Sequence, residues 1–234
     1  MNRIFRPTCG LADWRAGLAN PDKHWRAGYS AMATAQSCEA AGGALPPEIA
    51  RLLGGIPELL FAFPEHKVPL PGGRRDSQCD VFALVREGTR TISVAVEAKV
   101  AEPFGDTVGV WFKDASRGKR DRLTALCDWL GLPFPPPETL RYQLIHRTTA
   151  AIAEAHRFGL RDAAMIVQSF SPEARWLGDF EDFAAALGIE AGHDRAGSKV
   201  LPNGMALTLG WAQGDARFLT DLSDGASTQG KAFA

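Results

Sequence analysis

Two carboxylates and a lysine stand out in this sequence by type and spacing. Asp80 opens the string Asp80-Val-Phe-Ala-Leu-Val-Arg-Glu-Gly-Thr, and Glu97-Ala-Lys99 closes the apolar run that follows it. Strand side chains alternate with a period of two, so Glu97 and Lys99 share a face with Ser93 and Ala95, while Ile92, Val94, Val96 and Ala98 share the other. A two-residue Gly88-Thr89 loop, of the kind that wants glycine first, sets Asp80 directly across from Glu97. Opposed side chains have Cβ atoms roughly 4.5–5.5 Å apart. Two carboxylates at that distance repel unless a proton or a cation stands between them. A Mg²⁺ ion, which takes one or two carboxylates and keeps several waters, resolves the conflict, with Mn²⁺ as the alternative. Such an ion stabilises charge on a phosphoryl group and acidifies water, and Lys99, one pleat beyond Glu97, is placed to orient the water or to stabilise the phosphate charge. The chemistry these three residues suit together is phosphodiester hydrolysis.

Elements able to position them are legible around that segment. Ser30 to Ala41 is rich in alanine and ends at Gly42-Gly43, which predicts a helix. A short helix follows, with Pro47 in its first turn and Gly54-Gly55 closing it. Leu59 to Phe63 is a short strand stopped by Pro64. Pro71-Gly-Gly-Arg-Arg75 is a turn leading into two strands, Asp80 to Val85 and Thr91 to Val100. Pro103 to Pro137 reads as irregular, with five basic residues gathered between Lys113 and Arg122. Glu138 to Phe158 is a long helix with the apolar stripe Leu140, Leu144, Ala151, Ala155 and a polar stripe of Gln143, Arg147 and Glu154, closed by Gly159. A buried strand (Ala163 to Phe170), a helix (Phe180 to Leu187) and a last strand (Ala206 to Trp211) complete the pattern. Ile4 to Trp25 forms an arm held to the core by Phe5, Trp14 and Trp25.

With 234 residues and 45% hydrophobic content the chain can bury a full core in one domain. Its 26 basic and 27 acidic residues nearly cancel, so a nucleic-acid partner would need a local basic patch. Four scattered cysteines, without a C-x-x-C pair, exclude a zinc-finger pattern and read as free thiols of a cytoplasmic protein. No run approaches the roughly 18 apolar residues of a membrane span. Phosphate-loop, nucleophile-elbow and H-E-x-x-H motifs are missing from the sequence, which removes the simplest NTPase, serine-hydrolase and metalloprotease readings.

An aspartate opening one strand of a hairpin and E-x-K on the next resembles the PD-(D/E)xK nuclease superfamily, over roughly Ser30 to Phe170. The strings Gly28-Tyr-Ser-Ala31, Cys79-Asp-Val-Phe-Ala-Leu84, Val96-Glu-Ala-Lys99 and Arg141-Tyr-Gln-Leu-Ile-His-Arg147 resemble a bacterial family of proteins without assigned function placed near that superfamily. The resemblance implies an α/β fold with a restriction-endonuclease-like αβββαβ core, a mixed sheet flanked by helices. It implies a single domain over residues 1–222, of which composition marks 1–27 as an N-terminal arm, and the small, polar residues 223–234 read as a disordered tail. It also implies a metal site of Asp80 and Glu97 supported by Glu39 from the first helix, and an inward-pointing Gln143 beside the catalytic Asp80, Glu97 and Lys99. Cys79 stands where the motif's nominal proline would be.

Alone, E-x-K is what any solvated strand face carries, and the matched aspartate and hairpin register are what lift it above that. The function expected is an Mg²⁺-dependent nuclease acting on DNA or RNA. Because the superfamily includes inactive members, the alternative is a non-catalytic module of the same fold that binds nucleic acid or a protein. Arg117, Lys119, Arg120 and Arg122 are the residues expected to grip a phosphate backbone.

Overall fold

The computed structural model describes residue 8 and residues 10–222. Phe5 and the tail expected over 223–234 lie outside the described residues. The elements in chain order are α1 (Leu11–Gly17), α2 (Pro21–His24), α3 (Ser30–Ala40), α4 (Pro47–Leu52), β1 (Glu58–Val68), β2 (Ser77–Glu87), β3 (Arg90–Lys99), α5 (Val108–Phe112), α6 (Arg117–Leu130), α7 (Tyr142–Phe158), β4 (Asp162–Ser169), α8 (Leu177–Ala186), β5 (Ala196–Val200) and β6 (Ala206–Gln213). The architecture is α/β: a six-stranded mixed sheet in the order β1-β2-β3-β4-β6-β5, with helices on both faces. The order α3, β1, β2, β3, α7, β4 is the αβββαβ sequence of elements, with α4, α5 and α6 inserted.

β1, β2 and β3 form an antiparallel meander, and β3, β4 and β6 run parallel. The parallel β3–β4 crossover needs a covering helix, and α7 supplies it. Its Leu144, Ile145, Ala151, Ile152 and Ala155 are buried against Ala95, Met165 and Val167. Each large aliphatic side chain so buried contributes about 1.5–3 kcal/mol. On the opposite face, Val94, Val96, Ala164 and Ile166 meet Ala35 of α3, Ile49 of α4 and Trp14 of α1. The N-terminal arm is thus docked through Trp14, as its aromatic content predicts. α3 is buried nearly all round, because Gln36 also binds the carbonyls of Phe218 and Thr220 and the Leu222 amide.

The β2–β3 hairpin has the register read from the sequence. Glu87 faces Arg90 and Val81 faces Val96, around a loop with Gly88 at φ +59°. Four expectations need correction. β1 does not stop at Pro64 but runs through it to Val68, pairing Pro64 with Val81; an edge strand tolerates a proline that a central one would not. Within the stretch read as irregular lie α5 and α6. The buried Leu123, Leu126, Cys127 and Leu130 give α6 its apolar stripe, but its first turn is all polar and contains Gly118. α7 begins at Tyr142 instead of Glu138, because the carbonyls of Glu138 and Leu140 accept the amides of Gly109 and Val108. β5, a short polar strand paired with β6, was not anticipated.

Candidate active site

β3 carries Glu97 and Lys99 to the α7 face of the sheet at the end where the hairpin opens. Glu97 is 2% and Lys99 4% exposed, so the charged pair is buried rather than solvated. Lys99 Nζ lies 2.5 Å from Glu97 Oε1 and 5.1 Å from the centre of the Phe104 ring. From α7, Gln143 Nε2 donates to the same Oε1 at 2.7 Å, and Arg147 Nε donates to Oε2. Burying a carboxylate disfavours its charge, but Arg147 and Lys99 outweigh that cost and hold the Glu97 carboxyl down at about 2. Burial likewise disfavours the Lys99 ammonium, and Glu97 and Asp80 reverse the balance to raise its pKa.

Asp80 stands one residue beyond the last paired position of β2 with β3. Its Oδ2 accepts the Ala98 amide at 2.7 Å. Burial and the neighbouring Glu97 charge push its carboxyl up to about 8, against the weaker pull of Lys99 and Arg147. The two carboxylates are therefore electrostatically coupled and divide their roles: Glu97 is ionised and paired, while Asp80 at neutral pH holds a proton that a cation could replace.

Asp80, Glu97, Lys99 and Gln143 are brought together as the sequence predicts. Glu39 is not among them. It sits exposed on α3, accepting from Trp14 Nε1 at 2.7 Å, and lines a hollow with Val81 and Val96 on the opposite face of the sheet. The helix is where it was expected, but it covers the other side.

Three further groups complete the centre. In the sequence Arg147 is one member of the polar stripe of α7, and its place four residues after Gln143 is the available signal. Ser77 could not be found from sequence: its Oγ accepts from Arg147 Nη1 at 2.9 Å and meets His146 Nδ1 at 2.8 Å. Burial and the Arg147 charge push the His146 imidazole down to about 3, so it is neutral. Since Arg147 donates to Ser77, the Ser77 hydroxyl proton goes to His146 Nδ1, and the ring proton is on Nε2. His146 thereby joins the site's hydrogen-bond chain.

Which ion could this centre take? Among the described residues no group of three or more His, Cys, Asp or Glu could hold a metal alone. Two carboxylates are the donor set of a hard cation such as Mg²⁺, which fills its other positions with water, and not of zinc. The raised pKa of Asp80 fits that reading, because it marks an oxygen centre short of positive charge.

Fold and site together define an α/β domain with a buried carboxylate–lysine centre at the open end of its central hairpin. A family model described as Domain of unknown function (DUF6946) matches residues 7–216, and the chain belongs to that family. No curated protein and no solved structure matches it.

Proposed function

We propose that this domain is a metal-dependent nuclease of the PD-(D/E)xK type, cleaving phosphodiester bonds of DNA or RNA. The observation that carries the reading is the convergence of half-buried Asp80 with buried Glu97 and Lys99 in one centre, with the Asp80 carboxyl pushed up to about 8. Asp80 and Glu97 would hold the cation, Mg²⁺ or Mn²⁺, after Asp80 gives up its proton. When bound, the ion supplies charge stabilisation at a phosphoryl oxygen and acidifies water. Lys99 keeps its proton at neutral pH and offers N–H donors to developing negative charge. Gln143 and Arg147 fix the Glu97 carboxylate, so its orientation is set before substrate arrives.

A cytoplasmic setting suits this activity, since Cys38, Cys79 and Cys127 are free and two of them are buried. Among the described residues no helix is long and apolar enough to cross a membrane.

One observation favours a second reading. Both Glu97 oxygens already accept from Lys99, Gln143 and Arg147, an arrangement that would also suit a non-catalytic module binding nucleic acid or a protein. Incubating the full chain with plasmid, single-stranded DNA and RNA in Mg²⁺, Mn²⁺ or EDTA separates the two. Cleavage that EDTA and Asp80→Asn both abolish supports the nuclease. Intact substrates under every condition would transfer the assignment to the binding module.

A further inference from the structure

A cleft of about 480 Å³ opens beside the candidate centre, between the β1–β2 turn and the start of α6. Arg74, Arg75, Lys119 and Arg122 line it, against the single carboxylate of Asp76. None of these four cations forms an ion pair with a carboxylate among the described residues. Arg122 is the telling one. It is 7% exposed, its Nη2 donates to the Arg75 carbonyl at 2.8 Å, and its buried Nε has no hydrogen-bond partner. A guanidinium held out of water without a counter-charge is costly unless something anionic completes it.

The cleft's wall is built by close backbone approach. A Cβ at Gly72, where φ is +76°, would fall 2.5 Å from the Asp121 carbonyl oxygen, and one at Gly73 would fall 2.7 Å from Arg122 Nη2. Only glycine lets the turn close onto α6 and the Arg122 guanidinium. Ser116 caps α6, a helix of 14 residues, and its first turn contributes Gly118 and Lys119 to the lining, so the positive end of the helix dipole adds to the arginines. On the remaining side Trp111 and Tyr142 stack on one another with centroids 3.7 Å apart, and Lys119 Nζ lies 5.0 Å from the Trp111 ring centre while donating to the Trp111 carbonyl at 2.6 Å. Cations beside an aromatic platform are the chemistry that receives a phosphate joined to a base. Four cations against one carboxylate exceed the single charge of a phosphodiester and suit a monoester, which carries about −1.5 to −2 at neutral pH. The cleft also touches the candidate centre: Ser77 lines it and shares Arg147 with Glu97.

We propose that this cleft seats the terminal phosphate of a nucleic-acid strand, with the end nucleotide against Trp111 and Tyr142, so that the strand is presented to the Asp80–Glu97–Lys99 centre from its end. The inference rests on the nuclease reading for its substrate class and sharpens it to strand ends. Arg122 and Arg75 take the phosphate, and Lys119 supports them from the helix turn. Arg117 and Arg120 have no part in it, since neither lines the cleft: Arg117 pairs with Asp121 in solvent and Arg120 lies over the Phe112 ring.

The test is calorimetric titration of the full chain in EDTA, which reads binding without cleavage, using single-stranded oligonucleotides of one sequence with 5′-phosphate, 3′-phosphate or hydroxyl ends. One phosphorylated end is expected to bind at least about tenfold more tightly than the hydroxyl end. That preference should disappear in the Arg75→Gln, Lys119→Gln double variant, whose changes are near the surface, and in Arg122→Gln if that protein folds. Equal affinity for all three ends, or a preference that survives in the double variant, overturns the proposal. So does a nucleoside monophosphate that binds as tightly as the oligonucleotide, because the site would then serve a small phosphate. End-phosphate preference in a protein that cleaves nothing in Mg²⁺ or Mn²⁺ would support the cleft while refuting the catalytic reading. Cleavage without end preference would do the reverse.

Discussion

Asp80 ends the β2–β3 ladder with its side chain, accepting the Ala98 amide at 2.7 Å just past the last backbone pair. The same carboxylate is thus a structural acceptor and a candidate metal ligand, and the two roles separate by choice of substitution. Asp80→Asn keeps an acceptor for Ala98 and cannot acquire the negative charge that would oppose Glu97. It should fold with unchanged or higher stability in EDTA, bind Mg²⁺ at least about tenfold more weakly, and fail to cleave. Asp80→Ala also orphans the Ala98 amide and should be less stable by about 1–3 kcal/mol. Magnesium titration and urea denaturation of both variants check this, and undiminished metal binding in Asp80→Asn would refute the ligand assignment.

The two carboxylates give the metal-free protein a predictable pH profile. Asp80 is raised from 3.8 to about 8, so its contribution to stability is complete below 3.8 and is lost as pH climbs to about 8. Glu97 is lowered from 4.5 to about 2, so its contribution is complete above 4.5 and is lost as pH falls toward 2. In EDTA the melting temperature should therefore decline between pH 5 and about 8.5, and Mg²⁺ should restore much of it at the upper end. Asp80→Asn should flatten that decline. A variant that keeps the wild-type slope would assign the titration to another group.

Lys99→Met should separate chemistry from metal binding. Glu97 keeps Arg147 and Gln143 as partners, so the loss of stability should be about 1–3 kcal/mol instead of the larger penalty for a carboxylate left wholly unpaired. Cleavage should fall at least about 100-fold, the scale of losing one positioned donor, while Mg²⁺ affinity changes little. Equal loss of binding and rate would make Lys99 a structural residue only.

Glu39 serves as the internal control. Bonded to Trp14 on the opposite face of the sheet, it has no contact with the candidate centre. Glu39→Gln should leave metal affinity and cleavage within about twofold of wild type and cost no more than about 1 kcal/mol. A tenfold drop in either quantity would mean that α3 does reach the site.

Sequence periodicity exposed the meander, α3, α7 and the hairpin register because each rests on local rules: alternation, a glycine-first loop and a glycine helix stop. Asp80, Glu97 and Lys99 followed from that register. α6 stayed hidden because its first turn reads as a basic loop and its apolar stripe starts only at Leu123. Glu39 was misplaced for a tertiary reason, since composition identifies a helix but not which face of a sheet it covers. Ser77, His146 and the cleft depend on contacts between residues about 70 positions apart, such as the Ser77–His146 bond, and no local pattern records them.

The edges of the sheet bear on how the protein behaves at high concentration. β1 is an eleven-residue outer strand, long enough to recruit a strand from another molecule. Its pairing shifts between Leu59 and Phe61, Pro64 has no amide to offer, and Glu65 turns to φ +54° immediately after. The row of free donors and acceptors is thereby cut into pieces too short to template a neighbour. At the other edge β5 spans only five residues. The sheet that carries the catalytic candidates is thus bounded at both edges by strands unsuited to fibril growth, and substitutions at Pro64 should be judged by aggregation as much as by activity.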